Sequence, residues 1–186
     1  MDRLPVAPVA NAPERIIPRH VRVARSETYE ANTGLVQTNY TYDPNRQGGT
    51  QWGNVTQVEQ RVRSGSAWSA PVRTTYTWYY PNPTKSITNK PGRIELYKGC
   101  FGCSGGQIVS QRLLYYDQDT AGNHETPPTK GQLRFDKFGS GSVWLLTTQY
   151  QYWSNGNLRQ VIDGLGHATE TFYDSQFQAY AVCVKN

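Results

Sequence analysis

The chain has little of what builds helices or membrane spans. It contains one Met, and no window carries an Ala/Leu/Glu/Lys stripe at helical period, which argues against a helical bundle. No apolar run approaches the ~18 residues of a spanning helix. Charged residues are 18% of the total, below the ~25% of an ordinary soluble domain. Three cysteines, Cys100, Cys103 and Cys183, are too few and of the wrong parity for a dense disulfide framework, and they leave the redox compartment open. The start of the chain lacks the apolar stretch of a secretory signal. The expectation is therefore either no export by that route or a fragment whose signal lies elsewhere.

Catalytic signatures are missing too. There is no His-Glu-x-x-His and no phosphate loop, so the expectation is a protein that is not an enzyme. The net charge of +5 is spread out. Its densest stretch is Arg15, Arg19, His20, Arg22 and Arg25, which makes no basic stripe, and nucleic acid is not expected as a partner.

What the chain does have is tyrosine: 13 Tyr and 5 Trp against 5 Phe, with 17 Gly and 11 Pro to make turns. Residues 1–18, broken by Pro5, Pro8, Pro13 and Pro18, read as an extended Pro-rich leader. Residues 19–186 read as short strands between turns, starting with an alternating Val21 and Val23. Thr38 to Tyr42 sets two tyrosines on one face, because strand side chains alternate with period two, and Asp43-Pro44-Asn45 supplies a turn.

The same order recurs. Tyr42, Tyr79, Tyr116, Tyr152 and Tyr173 end aromatic strands at spacings of 37, 37, 36 and 21 residues. Out of phase with them run Gly53-Asn54-Val55, Gly92-Arg93-Ile94, Gly131-Gln132-Leu133 and Gly156-Asn157-Leu158. Each glycine is expected to take φ > 0 at a turn and each aliphatic to open the next strand. The last unit is the barest: Tyr152, the Asn155-Gly156 hairpin signal, a return strand Leu158 to Ile162, a turn at Asp163-Gly164-Leu165-Gly166, and a strand from His167 to Tyr173. One such hairpin cannot bury its inner face alone, whereas adjacent copies can. The expected fold is all-β, built of repetitive antiparallel hairpins in a curved or spiral sheet.

Tyr152 to Asp174 resembles a YD repeat of the RHS/YD-repeat family: a Gly-aliphatic start at Gly156, an Asp-x-x-Gly turn at Asp163 and Gly166, and a closing Tyr173-Asp174. Tyr42-Asp43 and Tyr116-Asp117 match the closing pair, while Tyr79-Tyr80 and Tyr152-Trp153 depart from it. The resemblance covers about four-fifths of the chain, from Asn39 on. It implies a segment of a spiral β shell of a bacterial toxin-complex or cell-surface protein, secreted or displayed, that encloses an effector domain and has neighbouring repeats as partners.

Three further groups carry readings of their own. Cys100-Phe101-Gly102-Cys103 reads as a turn or local disulfide, as half of a zinc site, or as a redox pair. Asp117, Asp119 and Gly122 begin like a calcium loop, yet Ala121 and Pro128 stand where ligands are required, which favours an acidic surface loop. Tyr76, Trp78 and Trp153 are candidates for holding glycans through apolar ring faces; the competing role is cross-strand packing.

Overall fold

The computed structural model describes residues 23–30, 34–43 and 52–186. The leader, the basic cluster up to Arg22, and Pro44 and Asn45 lie outside the described residues. The chain forms β1 (Arg25–Glu30), β2 (Gly34–Tyr42), β3 (Val55–Ser64), β4 (Ala67–Trp68), β5 (Arg73–Tyr79), β6 (Pro91–Lys98), β7 (Gln107–Tyr116), β8 (Leu133–Ser140), β9 (Val143–Tyr152), β10 (Leu158–Ile162), β11 (Ala168–Tyr173) and β12 (Ala181–Lys185). No α-helix occurs among the described residues; a single 3-10 turn spans Pro83–Lys85.

All pairings are antiparallel. Among the described residues, the strands lie in one 12-stranded open sheet in chain order, with only the short β4 off the path, paired to β3. The all-β, hairpin-by-hairpin reading of the sequence is therefore correct. Of the strand expected at residues 21–24, Val21 and Arg22 lie outside the described residues and Val23 and Ala24 are not in a strand; β1 begins at Arg25. The return strand Leu158–Ile162 falls as expected.

The register recurs at the five tyrosines. Tyr42 pairs with Val55, Tyr79 with Pro91, Tyr116 with Leu133, Tyr152 with Leu158 and Tyr173 with Ala181. At each of these pairs the ladder shifts by one residue, leaving Thr56, Gly92, Arg134, Arg159 and Val182 as the extra residue. Each unit thus carries a β-bulge at the same point, beside its terminal tyrosine, where a bulge bends the strand and raises its twist.

The register also sorts the side chains. Tyr40, Val58, Thr75, Leu96 and Ser110 stand opposite one another in turn, and further on so do Leu114, Asp136 and Thr148, then Tyr150, Val161 and Thr169. Period two then puts all five motif tyrosines on this face, at one rim. The opposite face carries Tyr76, Trp78, Glu95, Tyr97, Tyr115 and Phe135.

That opposite face is covered at its centre by two loops, one from each rim. Phe101, in the loop between β6 and β7, meets Tyr97 edge-on at 5.8 Å, and its N–H donates to the Tyr76 hydroxyl at 3.3 Å. His124, in the loop between β7 and β8, meets Tyr80 and Tyr115 edge-on at 5.9 and 6.1 Å. Edge-on pairs of this kind contribute roughly 0.5–1.5 kcal/mol each. Tyr76 and Tyr115 are buried as a result, along with Tyr97, and Glu95 is only 1% exposed. The Glu95 carboxylate is satisfied there by Arg93 and by the Tyr97 hydroxyl at 3.1 Å, as a buried charge must be.

Gly92 corrects one expectation. It has no positive φ and opens no turn; it is the bulge residue beside Tyr79. A Cβ there would lie 2.5 Å from both the His124 carbonyl oxygen and the Tyr80 ring. The glycine is needed for close approach of a neighbouring loop. By register, the position equivalent to Gly53 and Gly131 in this unit is Asn89, three residues earlier. Gly53, Gly131, Gly156 and Gly166 do take positive φ as expected.

Candidate functional site: the tyrosine rim

The rim is built from tyrosines and aspartates with different tasks. The Tyr42 hydroxyl donates to the Val23 carbonyl at 3.0 Å, Tyr79 to Val55 at 3.3 Å, and Tyr152 to Leu133 at 3.0 Å. Val55 is the residue paired with Tyr42, and Leu133 is the one paired with Tyr116. In these two cases, the tyrosine of one hairpin grips the backbone at the point where the preceding tyrosine pairs. The rim tyrosines are linked unit to unit.

Burial pushes the Tyr79, Tyr116 and Tyr152 phenols up, Tyr116 to about 12, with nearby negative charge from Asp136 adding to the effect at Tyr116. Tyr116 feels both Tyr79 and Tyr152, so the three form one ladder. With ionisation pushed up, the Tyr79 and Tyr152 phenols stay neutral donors to Val55 and Leu133.

The aspartates close the loops. Asp117 accepts the N–H groups of Thr129, Lys130 and Gly131 on Oδ2 and that of Gln132 on Oδ1, at 2.7–3.0 Å. Asp43 accepts those of Trp52, Gly53 and Asn54. Asp174 accepts those of Phe177, Gln178, Ala179 and Tyr180. The backbone closes alongside, with Asp43 N–H to Asn54, Asp117 to Gln132 and Asp174 to Tyr180. One device therefore closes loops of very different length. Asp163 uses it on the opposite rim, accepting from Leu165 and His167.

These contacts set the acidity of the carboxyls. Burial pushes Asp117 up, but the four N–H donors outweigh it and hold the carboxyl below the usual range. The Tyr180 and Phe177 N–H groups hold Asp174 down at about 2. The His167 N–H does the same for Asp163. A carboxylate whose lone pairs are committed to backbone donors is poorly placed for proton transfer or for a metal.

The units that lack Asp close differently. After Tyr152, Asn155 Oδ1 accepts the Asn157 N–H at 3.1 Å, and Trp153 N–H donates to the Asn157 carbonyl. After Tyr79, Asn82 bridges to Ile87, and its side chain reaches the Pro128 carbonyl at 2.9 Å. Tyr80, in the Asp position, donates to Glu125 instead.

The remaining expected groups fall elsewhere. Cys100 and Cys103 are joined in a disulfide with Cα atoms 5.3 Å apart, and Cys183 is an exposed free thiol on β12. Disulfide sulfurs carry no thiolate charge, so zinc at this pair requires the reduced form. No group of three or more His, Cys, Asp or Glu able to hold a metal is present among the described residues. Asp119, of the calcium-like stretch, pairs with Arg134 at 3.2 Å. Of the aromatic candidates, Tyr76 lies buried beneath Tyr97, and Trp78 is half-buried with the Arg93 guanidinium 5.0 Å over its ring. Trp153 remains more than a third exposed. The sequence reading missed Glu95 and His124; the Arg93-x-Glu95-x-Tyr97 alternation was the available signal for Glu95, and nothing local marked His124.

No protein-family model matches this chain, and no curated protein matches its sequence. No helix among the described residues is long and apolar enough to cross a membrane.

Proposed function

We propose that the chain is a non-enzymatic structural segment of an RHS-type shell of YD repeats, a wall that encloses a toxin or effector domain or acts at the cell surface. The observation that carries this reading is the fivefold recurrence, at one rim, of a terminal tyrosine beside a β-bulge. A catalytic protein has no need of such regularity, whereas a wall is made by it. The open sheet supports the same reading. Its last strand, β12, is exposed at every position, and free edges call for further strands. The Cys100–Cys103 disulfide fits an oxidising, extracellular setting.

The test begins with the coding sequence on both sides of residues 1–186, which should encode further tyrosine–bulge–aspartate units. The product of the whole reading frame should then appear as a hollow shell by electron microscopy, with an interior segment spared by protease. The opposite result is a reading frame without further units whose 186-residue product is a monodisperse monomer that unfolds cooperatively. That result overturns the proposal.

A further inference from the structure

Four of the eight residues from Gly99 to Gly106 are glycine. A stretch this rich in glycine loses much backbone freedom when it is fixed, so something must hold it. Two short turns shape it from within: Cys103 N–H donates to the Cys100 carbonyl at 3.3 Å, and Gly106 N–H to the Cys103 carbonyl at 3.0 Å. Gly102, between the two cysteines, takes a φ of 74°, which a residue with a side chain rarely adopts. The Cys100–Cys103 disulfide closes the first turn covalently, and Phe101 stands at its tip.

Phe101 is a lid with a shallow seat. Its ring meets Tyr97 edge-on and its N–H donates to the Tyr76 hydroxyl at 3.3 Å, yet the residue is 65% exposed. Beneath it Tyr76, Tyr97, Thr74 and Glu95 are buried. The foot of the loop is well fixed, because the buried Thr74 hydroxyl donates to the Gly99 carbonyl at 2.7 Å. The tip is not. A ring so exposed gains little from burial, so the covalent tie is the main constraint on its backbone. The two sulfurs also differ in access: Cys103 is exposed, whereas Cys100 is half-buried.

We infer that Cys100–Cys103 is a redox-modification site that exchanges with small thiols, and that its state decides whether Phe101 closes over Tyr76 and Tyr97. Exposed disulfides are the ones that exchange readily. A small thiolate attacks the exposed Cys103 Sγ. A new S–S bond forms there, the bond to Cys100 breaks, and its electron pair leaves on Cys100 Sγ, which takes up the proton the thiol gave up. A second thiolate attacks the outer sulfur of this mixed disulfide. Cys103 is released as a thiol, and the two small thiols depart as their own disulfide. Two protein sulfurs are reduced and two thiols are oxidised, and the small disulfide runs the sequence backwards. Without the covalent tie the turn around Phe101 keeps only its hydrogen bonds. The lid then opens, and the Tyr97 hydroxyl with its Glu95 partner is uncovered.

The clasp does not depend on the shell; a wall with a fixed loop is still a wall. The test uses the whole chain carrying Cys183→Ser, so that Cys100 and Cys103 are its only cysteines, in buffers of reduced and oxidised glutathione. In reduced glutathione both cysteines should take up an alkylating reagent while the far-ultraviolet circular dichroism stays unchanged. Hydrogen exchange of residues 99–106 should accelerate by about tenfold or more. The NMR signals of the Tyr76 and Tyr97 rings should shift, and oxidised glutathione should reverse both effects. Phe101→Ala keeps the disulfide and removes the lid, so it should shift the same tyrosine signals and cancel their response to glutathione. A pair that stays oxidised in reduced glutathione overturns the inference. So do reduction that leaves the loop and the tyrosine signals as they were, reduction that unfolds the whole sheet, and a tyrosine response that survives in Phe101→Ala.

Discussion

The carboxylate of Asp117 and the N–H of Gly131 meet at 3.0 Å although fourteen residues separate them in the chain. The same carboxylate holds the N–H groups on either side of Gly131, so the β7–β8 loop leaves and returns through one side chain. Asp117→Ala is expected to leave these donors to water and to loosen the loop. Charge-assisted hydrogen bonds of this type contribute about 1–3 kcal/mol, with the solvent-facing setting placing this one towards the lower end. Thermal melts measure the loss, and hydrogen exchange should rise first in residues 118–131.

Acid should act on the sheet through the same device. Asp174 is held at about 2, below its ordinary value of 3.8. A depressed carboxyl contributes stability that is complete above the unfolded pKa and is lost as pH falls through the folded one. Stability is therefore expected to decline from about pH 4 down to about pH 2, the β11–β12 loop included. Asp174→Asn should flatten that part of an acid titration followed by circular dichroism. An unchanged titration would contradict the assignment.

Gly92 is expected to tolerate no side chain. Gly92→Ala drives a Cβ into the Tyr80 ring and the His124 carbonyl. The carbonyl belongs to backbone and cannot rotate away. Overpacking of this kind costs roughly 1–3 kcal/mol. The melting temperature should fall, and the ring signals of Tyr80 and His124 should shift together.

His124 offers a second pH response, at milder acidity. Its Nε2 is buried without a hydrogen-bond partner among the described residues, 4.0 Å from Glu125 Oε1. Burial pushes its pKa down, Arg93 adds to that, and Glu125 opposes them. A histidine with a lowered folded pKa contributes stability at pH above its unfolded value of ~6.5 and loses it as pH falls towards the folded one. The packing of the β7–β8 loop should therefore weaken as pH falls below about 6.5. His124→Phe keeps the ring contacts and should remove the dependence. Hydrogen exchange of residues 118–131 at two pH values checks both statements.

Much of the sheet could be read from local pattern. The Tyr150–Tyr152 alternation and the Asn155-Gly156 turn locate β9 and β10, because period-two patterning and positive-φ turns are properties of a few adjacent residues. The bulges were not legible, since a one-residue shift appears only when two strands are set side by side. Gly92 misled for that reason: it matches the Gly-polar-aliphatic pattern of the turns, yet its role is set by Tyr80 and His124. The sequence marks the five tyrosines, and the sheet sets each of them beside a bulge at one rim. Their grip on Val55 and Leu133, however, depends on neighbouring hairpins.

Composition, the scarcity of helix formers, and the recurring tyrosines and turn glycines determined that this chain is an all-β antiparallel sheet, because strand and turn preferences act over a few residues. Assembly decided what each residue does there. It buried Glu95 beneath loop-covered aromatics, sent four aspartates to backbone N–H groups and left Trp153 facing a cleft. Those outcomes depend on which loops cross which face, and contacts between residues distant in the chain exist only once the sheet has brought them together.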